Sequence, residues 1–252
     1  ANGSGKSNFL DALHLVRDAL TGSLENALNE RGGLSEVRRR SSGHPTHFGI
    51  RLEFRLHGGQ SGHYAFNVVA LSGRGYEVQT EECVLGGLGK GPFFQLERGK
   101  LKASSEPTFP VVTSDRLALV SASGLLAFRP VFDALIAMGF YNLNPKLIRE
   151  LQKPQDGRLL KPAGENIASV IGHLERIAPP ESMRIIEEYL QSVVPMVHGV
   201  ERKPIGPMET LELRQDMAGA KHPWRFLAQN MSDGTLRALG VLTALFQGSA
   251  GY

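Results

Sequence analysis

The stretch that decides the predicted fold is Ala1-Asn2-Gly3-Ser4-Gly5-Lys6-Ser7-Asn8. It matches the phosphate-binding pattern G-x-x-x-x-G-K-[ST] from the second position of that pattern onward. Glycines let successive backbone N–H groups turn toward an anion in conformations that a side chain would obstruct. Lys6 would bring a positive charge to the β and γ phosphates of a nucleotide, and the Ser7 hydroxyl would bind Mg²⁺. A glycine-rich turn with no ligand is the other interpretation.

The residues after this loop predict a helix, as phosphate binding by the loop requires. Apolar residues recur at helical spacing over residues 7–20, at Phe9, Leu10, Leu13, Val16, Ala19 and Leu20. The positive end of the helix dipole would then face the anion. Residues 24–30 predict another short helix.

The spacing of apolar residues then changes from the helical period to a period of two. Residues 47–56 alternate apolar and charged side chains, which is typical of a half-buried strand. Glycine-rich turns separate this segment from three further segments of similar character. Residues 47–103 therefore predict an antiparallel meander.

The second half of the chain predicts mainly helices with a small group of strands. Helices are expected over residues 123–138, with Pro130 as a kink or a break, and over 165–177 and 180–194. Residues 140–148 suggest a strand that leads into a loop, and residues 153–164 a loop. A hairpin is expected over 197–216, a strand over 224–229, and a helix over 232–247.

A second motif, Met231-Ser232-Asp233-Gly234-Thr235-Leu236-Arg237, begins that last helix. Ser232 is suited to cap the helix, and its hydroxyl can donate to a phosphate. Gly234 would allow close approach, and the helix N-terminus would favour an anion. Taken by itself, the segment also fits an ordinary Ser-x-x-Thr helix cap.

Together the two motifs resemble the ATP-binding head of an ABC-type P-loop ATPase of the RecF- and SMC-like group, which includes AAA-labelled bacterial ATPases. Asn8 after Ser7 and the S-D-G-T form of the second motif carry the resemblance. Asp233 stands where transporter ATPases have glycine. More than 200 residues separate the motifs, a longer span than in transporter ATPases.

The resemblance implies an α/β P-loop NTPase fold with an antiparallel β insert and a helical lobe. Residues 1–252 would form a single head, with about 1–122 carrying the phosphate loop and the antiparallel sheet and about 123–252 carrying the helical lobe. The family's Walker B carboxylates, D-loop and switch histidine have no match before Tyr252, and no Q-loop glutamine is identifiable. The head is therefore expected to be incomplete at both ends, and residues 1–252 alone are expected to be inactive. No residue can be assigned as the catalytic carboxylate.

In this family two heads enclose ATP and Mg²⁺. The phosphate loop would comprise Asn2, Gly3, Ser4, Gly5, Lys6, Ser7 and Asn8. The signature loop, comprising Ser232, Asp233, Gly234 and Thr235, would bind the γ-phosphate held by the second subunit. A homodimer that hydrolyses ATP and acts on DNA or an effector protein is implied, in DNA repair or anti-phage defence. A nucleotide-binding module without turnover and a transporter ATPase subunit are the alternatives.

Composition fits a globular intracellular protein. Hydrophobic residues make up 41% and charged residues 21% of the chain. The single cysteine, Cys83, excludes a disulfide framework and suggests a reducing cytoplasm. A net charge of +3 permits a polyanionic partner without requiring one, and the run Arg38-Arg39-Arg40 reads either as a solvated loop or as a phosphate contact. No apolar run is long enough to span a membrane, and no signal peptide is visible.

Overall fold

The computed structural model describes residues 6–37, 46–72, 75–87, 90–177 and 180–247. The chain divides into two compact units, Ala1–Met138 and Gly139–Tyr252. Within the described ranges no helix is long and apolar enough to cross a membrane.

Unit 1 is built on a five-stranded antiparallel sheet whose strand order follows the chain. The strands are β1 His47–Arg55, β2 Ser61–Leu71, β3 Gly75–Leu85, β4 Phe93–Glu97 and β5 Lys100–Ser104. The meander predicted for residues 47–103 is confirmed. The alternating apolar side chains of β1 pack on the core of unit 1, and the charged ones point away from it.

In the part of unit 1 that the structure describes, five helices accompany this sheet: α1 Lys6–Thr21, α2 Leu24–Asn29, α3 Leu34–Val37, α4 Ala118–Ala122 and α5 Arg129–Ile136. The two helices predicted at the start of the chain are confirmed. The later turns of α1 bury Val16 and Leu20 where α2 and α5 contact it, but Phe9 and Leu10 are 64% and 52% exposed. The predicted apolar stripe is therefore covered over only part of its length.

The single helix predicted for residues 123–138 is instead a turn followed by α5, because Pro130 lies in the first turn of that helix. A proline there lacks an N–H that would have no partner anyway, and its fixed φ favours a helix start. Pro130 therefore lies at the start of α5. This agrees with a break in the helix predicted for residues 123–138 and excludes a kink within it.

A buried carboxylate joins the sheet of unit 1 to α4. Glu81 of β3 accepts hydrogen bonds from the backbone N–H groups of Ala118 at 2.6 Å and Leu119 at 2.8 Å, and from the Tyr64 hydroxyl at 2.9 Å. Leu117 caps α4 without a side-chain acceptor, so Glu81 takes over that role from across the fold.

Unit 2 holds a three-stranded antiparallel sheet of order β6-β7-β8, with β6 Val197–Ile205, β7 Met208–Gln215 and β8 Trp224–Leu227. Its helices are α6 Pro145–Arg149, α7 Ile167–Ile177, α8 Pro180–Val193 and α9 Asp233–Phe246, and a 3₁₀ turn spans Ala228–Asn230. The predicted hairpin, the strand after it and the three predicted helices are confirmed. Residues from α7, α8, α9 and the sheet form one buried apolar cluster.

The strand predicted within residues 140–148 is wrong. Asn144 accepts a hydrogen bond from the Lys146 N–H at 3.0 Å, and Pro145 is the first residue of α6. An asparagine cap followed by proline starts a helix, and this local signal prevails over the apolar-polar mixture around it.

A second buried carboxylate, Glu209 of β7, joins the sheet of unit 2 to α7. It accepts hydrogen bonds from the Ser169 hydroxyl and the Arg202 guanidinium. Its side chain is fully buried, so this pairing is what makes a charge at that place tolerable.

All strand pairs in the described ranges are antiparallel. The antiparallel sheet that the sequence predicted is therefore present. The α/β P-loop class and the single head stay predictions. The division between the units falls after Met138, whereas the sequence suggested a subdivision near residue 122, because α5 packs with the core of unit 1.

Candidate functional site

The first predicted phosphate segment lies at the start of α1. Asn2, Gly3, Ser4 and Gly5 lie outside the described residues, as do Arg38, Arg39 and Arg40 of the basic run. Lys6 is the first residue of α1, and its side chain is not described. Ser7 and Asn8 follow in the first turn and are exposed. The predicted helix start is confirmed, and the loop geometry stays a prediction.

The second segment is described in full and lies at the start of α9. Ser232 is the N-cap, and its Oγ accepts a hydrogen bond from the Thr235 N–H at 3.1 Å and lies 2.9 Å from Thr235 Oγ1. Thr235 is buried, whereas Ser232, Asp233 and Gly234 are exposed. The predicted cap is confirmed, and it leaves three consecutive residues open at the surface.

Two backbone donors are also open there. The N–H groups of Asp233 and Gly234 have no acceptor among the described residues, since the cap serves Thr235 and the next N–H bonds to the Ser232 carbonyl. The first N–H groups of a helix carry partial positive charge. Such a pair beside an exposed hydroxyl fits a phosphate oxygen.

Positive side chains surround this helix start. Arg149 of α6 donates hydrogen bonds to the Met231 carbonyl at 3.0 Å and to the Asp233 carboxylate. The hydrogen bond from Arg149 holds the pKa of Asp233 below its ordinary value, and the charges of Arg149, Arg237 and Lys146 lower it further. Three cations against one carboxylate leave a net positive field at the start of α9.

An open cavity of about 610 Å³ lies beside the loop within unit 2. On the side of α6 it is lined by Lys146, Arg149 and Glu150. The other lining residues are Leu151, Ile205, Thr210, Leu227 and Gln229. Lys146 has no ion pair with the described residues. The cavity therefore continues the cationic surface away from the helix start.

Sequence reasoning missed Arg149. The residue lies 84 positions before Asp233, and no local pattern connects the two. The signal that was available is the Asn144-Pro145 helix start, which identifies α6 but not the residue it contacts.

The groups exposed at the start of α9 are backbone N–H donors, a hydroxyl and cationic side chains, which suit an anion. Within the described ranges, no group of three or more His, Cys, Asp or Glu side chains could hold a metal ion. The predicted Mg²⁺ contact through Ser7 depends on neighbouring residues outside those ranges. No known family model matches the chain, and no curated protein matches it.

Proposed function

We propose that the chain is the ATP-binding head of an ABC-type P-loop ATPase of the RecF- and SMC-like kind, acting in the cytoplasm as a homodimer. Its phosphate loop would bind ATP in one copy, and the loop before α9 would close on that ATP from the other copy. Each of the two candidate phosphate segments begins a long helix, α1 and α9, and this arrangement supports the proposal.

The observation that carries the proposal is the open start of α9. An ordinary helix cap needs only the contact between Ser232 and Thr235. Open first N–H groups, as at Asp233 and Gly234, occur at the start of any helix, but an ordinary cap does not need three cations around them. A γ-phosphate would use all of these groups, because it is a compact anion with several acceptor oxygens.

The role that we propose for each residue follows from its position. Lys6 would contact the β and γ phosphates, and Ser7 would hold Mg²⁺, which when bound offsets the phosphate charge. Ser232 and the start of α9 would bind the γ-phosphate from the second copy. Since an isologous dimer offers each surface twice, two composite sites form.

Closing and opening of such a dimer would drive a partner, either DNA or an effector protein. DNA repair and anti-phage defence are the settings we propose. The mildly basic composition, with a net charge of +3, permits a polyanionic partner.

The test is nucleotide binding and turnover by the intact protein, measured with and without duplex DNA. Lys6→Ala should weaken ATP binding about 10- to 150-fold, because a charge-assisted contact contributes about 1.5–3 kcal/mol. Lys100→Ala, at an exposed position in β5, is the matched control and should bind as the wild type does. Equal affinity in Lys6→Ala and wild type would contradict the proposal, and binding without any turnover would identify a nucleotide-binding module.

A further inference from the structure

The residues on both sides of Arg149 are attached to the core of unit 2. The residue before it, Ile148, is fully buried in the core of unit 2. Just after it, Gln152 pairs with Glu209 of β7 through two backbone hydrogen bonds, of 2.7 and 2.8 Å. The Gln152 side chain also accepts from the Ala168 N–H at 3.0 Å, which joins it to α7. The chain on both sides of Arg149 is therefore fixed to the core.

The loop that Arg149 reaches is packed on the core at Met231 and at its two ends, whereas Ser232, Asp233 and Gly234 are exposed. Ala228 is buried before it, and Thr235 is buried in the first turn of α9 after it. Between them, Arg149 is the only side chain from another element in the described ranges that hydrogen-bonds the loop, through the Met231 carbonyl and the Asp233 carboxylate. These two acceptors lie on either side of Ser232.

We infer that Arg149 is a positioning residue for the signature loop, and this inference rests on the proposed function. By holding the residues before and after Ser232, it sets the direction of the Ser232 hydroxyl and of the open N–H groups. It also draws the Asp233 carboxylate toward α6 and neutralises it, so that an incoming phosphate meets less negative charge. Arg149 thus supports the signature loop, which is the part of the composite site that would contact the ATP bound to the other copy.

Both hydrogen bonds come from one nitrogen, Arg149 Nη2. A lysine would keep the charge but carry it on a flexible stem, without the fixed orientation of the planar guanidinium. In the intact protein we expect Arg149→Gln to weaken ATP-driven dimerisation and lower kcat by about 10-fold, the effect of losing roughly one charge-assisted hydrogen bond. Arg149→Lys should recover part of this loss. ATP affinity of the monomer should stay unchanged in both variants, which a general folding defect would not allow.

Arg184→Gln is the matched control, since Arg184 also bridges two acceptors in unit 2, but both lie on its own helix α8. Asp233→Asn supplies a double-mutant cycle. If Arg149 acts through the loop, Arg149→Gln combined with Asp233→Asn should be no worse than Arg149→Gln alone. Amide exchange of residues 231–236 should be faster in Arg149→Gln than in wild type.

The outcomes separate this inference from the proposal beneath it. A wild type that neither dimerises with ATP nor turns it over overturns both. A wild type that does so, beside an Arg149→Gln variant with the same kcat and dimer affinity, overturns the role of Arg149 alone. Additive losses in the cycle, or an equal loss in Arg184→Gln, also overturn it.

Discussion

An added Cβ at Gly234 would have Ser232 Oγ as its nearest neighbour, at 3.8 Å, which is an ordinary contact. The backbone there is helical, and the position is exposed. The fold itself therefore gives no reason for glycine at this place. A reason appears only when a ligand comes close to the backbone, as a phosphate at a helix N-terminus does.

Gly234→Ala should therefore separate function from stability. We expect its free energy of unfolding to stay within about 0.5 kcal/mol of wild type or to rise, since alanine favours helices. ATP-driven dimerisation should nevertheless be weakened. Chemical denaturation and sedimentation in the presence of ATP measure the two effects.

Gly240→Ala in the same helix is the converse control. Its Cβ would lie 2.9 Å from Leu143 Cδ1 in a buried position, so the Leu143 side chain must shift, and we expect a lower stability than that of Gly234→Ala, which gains the same helix propensity without this close contact. Molecules that remain folded should still dimerise with ATP. If Gly234→Ala dimerises as wild type does, phosphate contact at Gly234 is excluded.

Glu81 makes the stability of the chain depend on pH. Burial raises the pKa of this carboxyl from 4.5 to about 7, although three hydrogen bonds oppose the shift. Between these values the folded state binds a proton that the unfolded state has released. The stabilising contribution is therefore complete below about pH 4.5 and is lost as pH rises through 7.

We expect Glu81→Gln to remove this dependence. The stability of wild type relative to Glu81→Gln should fall by up to about 3 kcal/mol from pH 4.5 to 8, at about 1.4 kcal/mol per pH unit. Glu53→Gln, at an exposed position, should follow the wild-type profile. Parallel pH profiles for wild type and Glu81→Gln would show that the pKa of Glu81 is the same in the folded and unfolded states, which would contradict the prediction.

Arg202 neutralises the fully buried Glu209 carboxylate. Among the described residues, Arg202→Leu would leave that charge with only the Ser169 hydroxyl as a side-chain partner, and we expect a loss of about 3–5 kcal/mol in the free energy of unfolding. Arg184→Leu removes an arginine of α8 whose side chain is 58% exposed, and it should change stability little. Urea denaturation compares the two, and equal small losses would contradict the stabilising role of the pair Arg202–Glu209.

Most of the secondary structure could be predicted because its signals are local. Alternation in residues 47–56 and the Ser-x-x-Thr cap at Ser232 each lie within a few positions of the element they specify. Over residues 140–148 the apolar-polar mixture predicts a strand, but the Asn144-Pro145 helix start prevails over it.

The remaining features depend on contacts that no local pattern records. A β-bulge at Gln79, between the pairs Asn67–Thr80 and Val68–Val78, moves the buried face of β3 by one residue, so that Glu81 points into the core. The contact between Arg149 and Asp233 likewise arises only when α6 packs beside α9. The buried cap of α4 and the positioning of the candidate site were therefore beyond sequence reasoning.

The most direct test of the central claim, that the two segments act on one ATP from different copies of the chain, is turnover by mixed dimers. Lys6→Ala and Ser232→Arg should each abolish turnover by the intact protein when present in both copies. Ser232→Arg alone should leave ATP binding by the monomer nearly unchanged, because the arginine would obstruct only the surface that meets the other copy's phosphate.

In a dimer of one Lys6→Ala chain and one Ser232→Arg chain, both defects fall in the same composite site, and the other site is wild type. We predict that mixing the two inactive proteins restores part of the turnover. Absence of any recovery, together with loss of ATP binding by the Ser232→Arg monomer, would show that the loop before α9 acts on its own chain's nucleotide and would contradict the account.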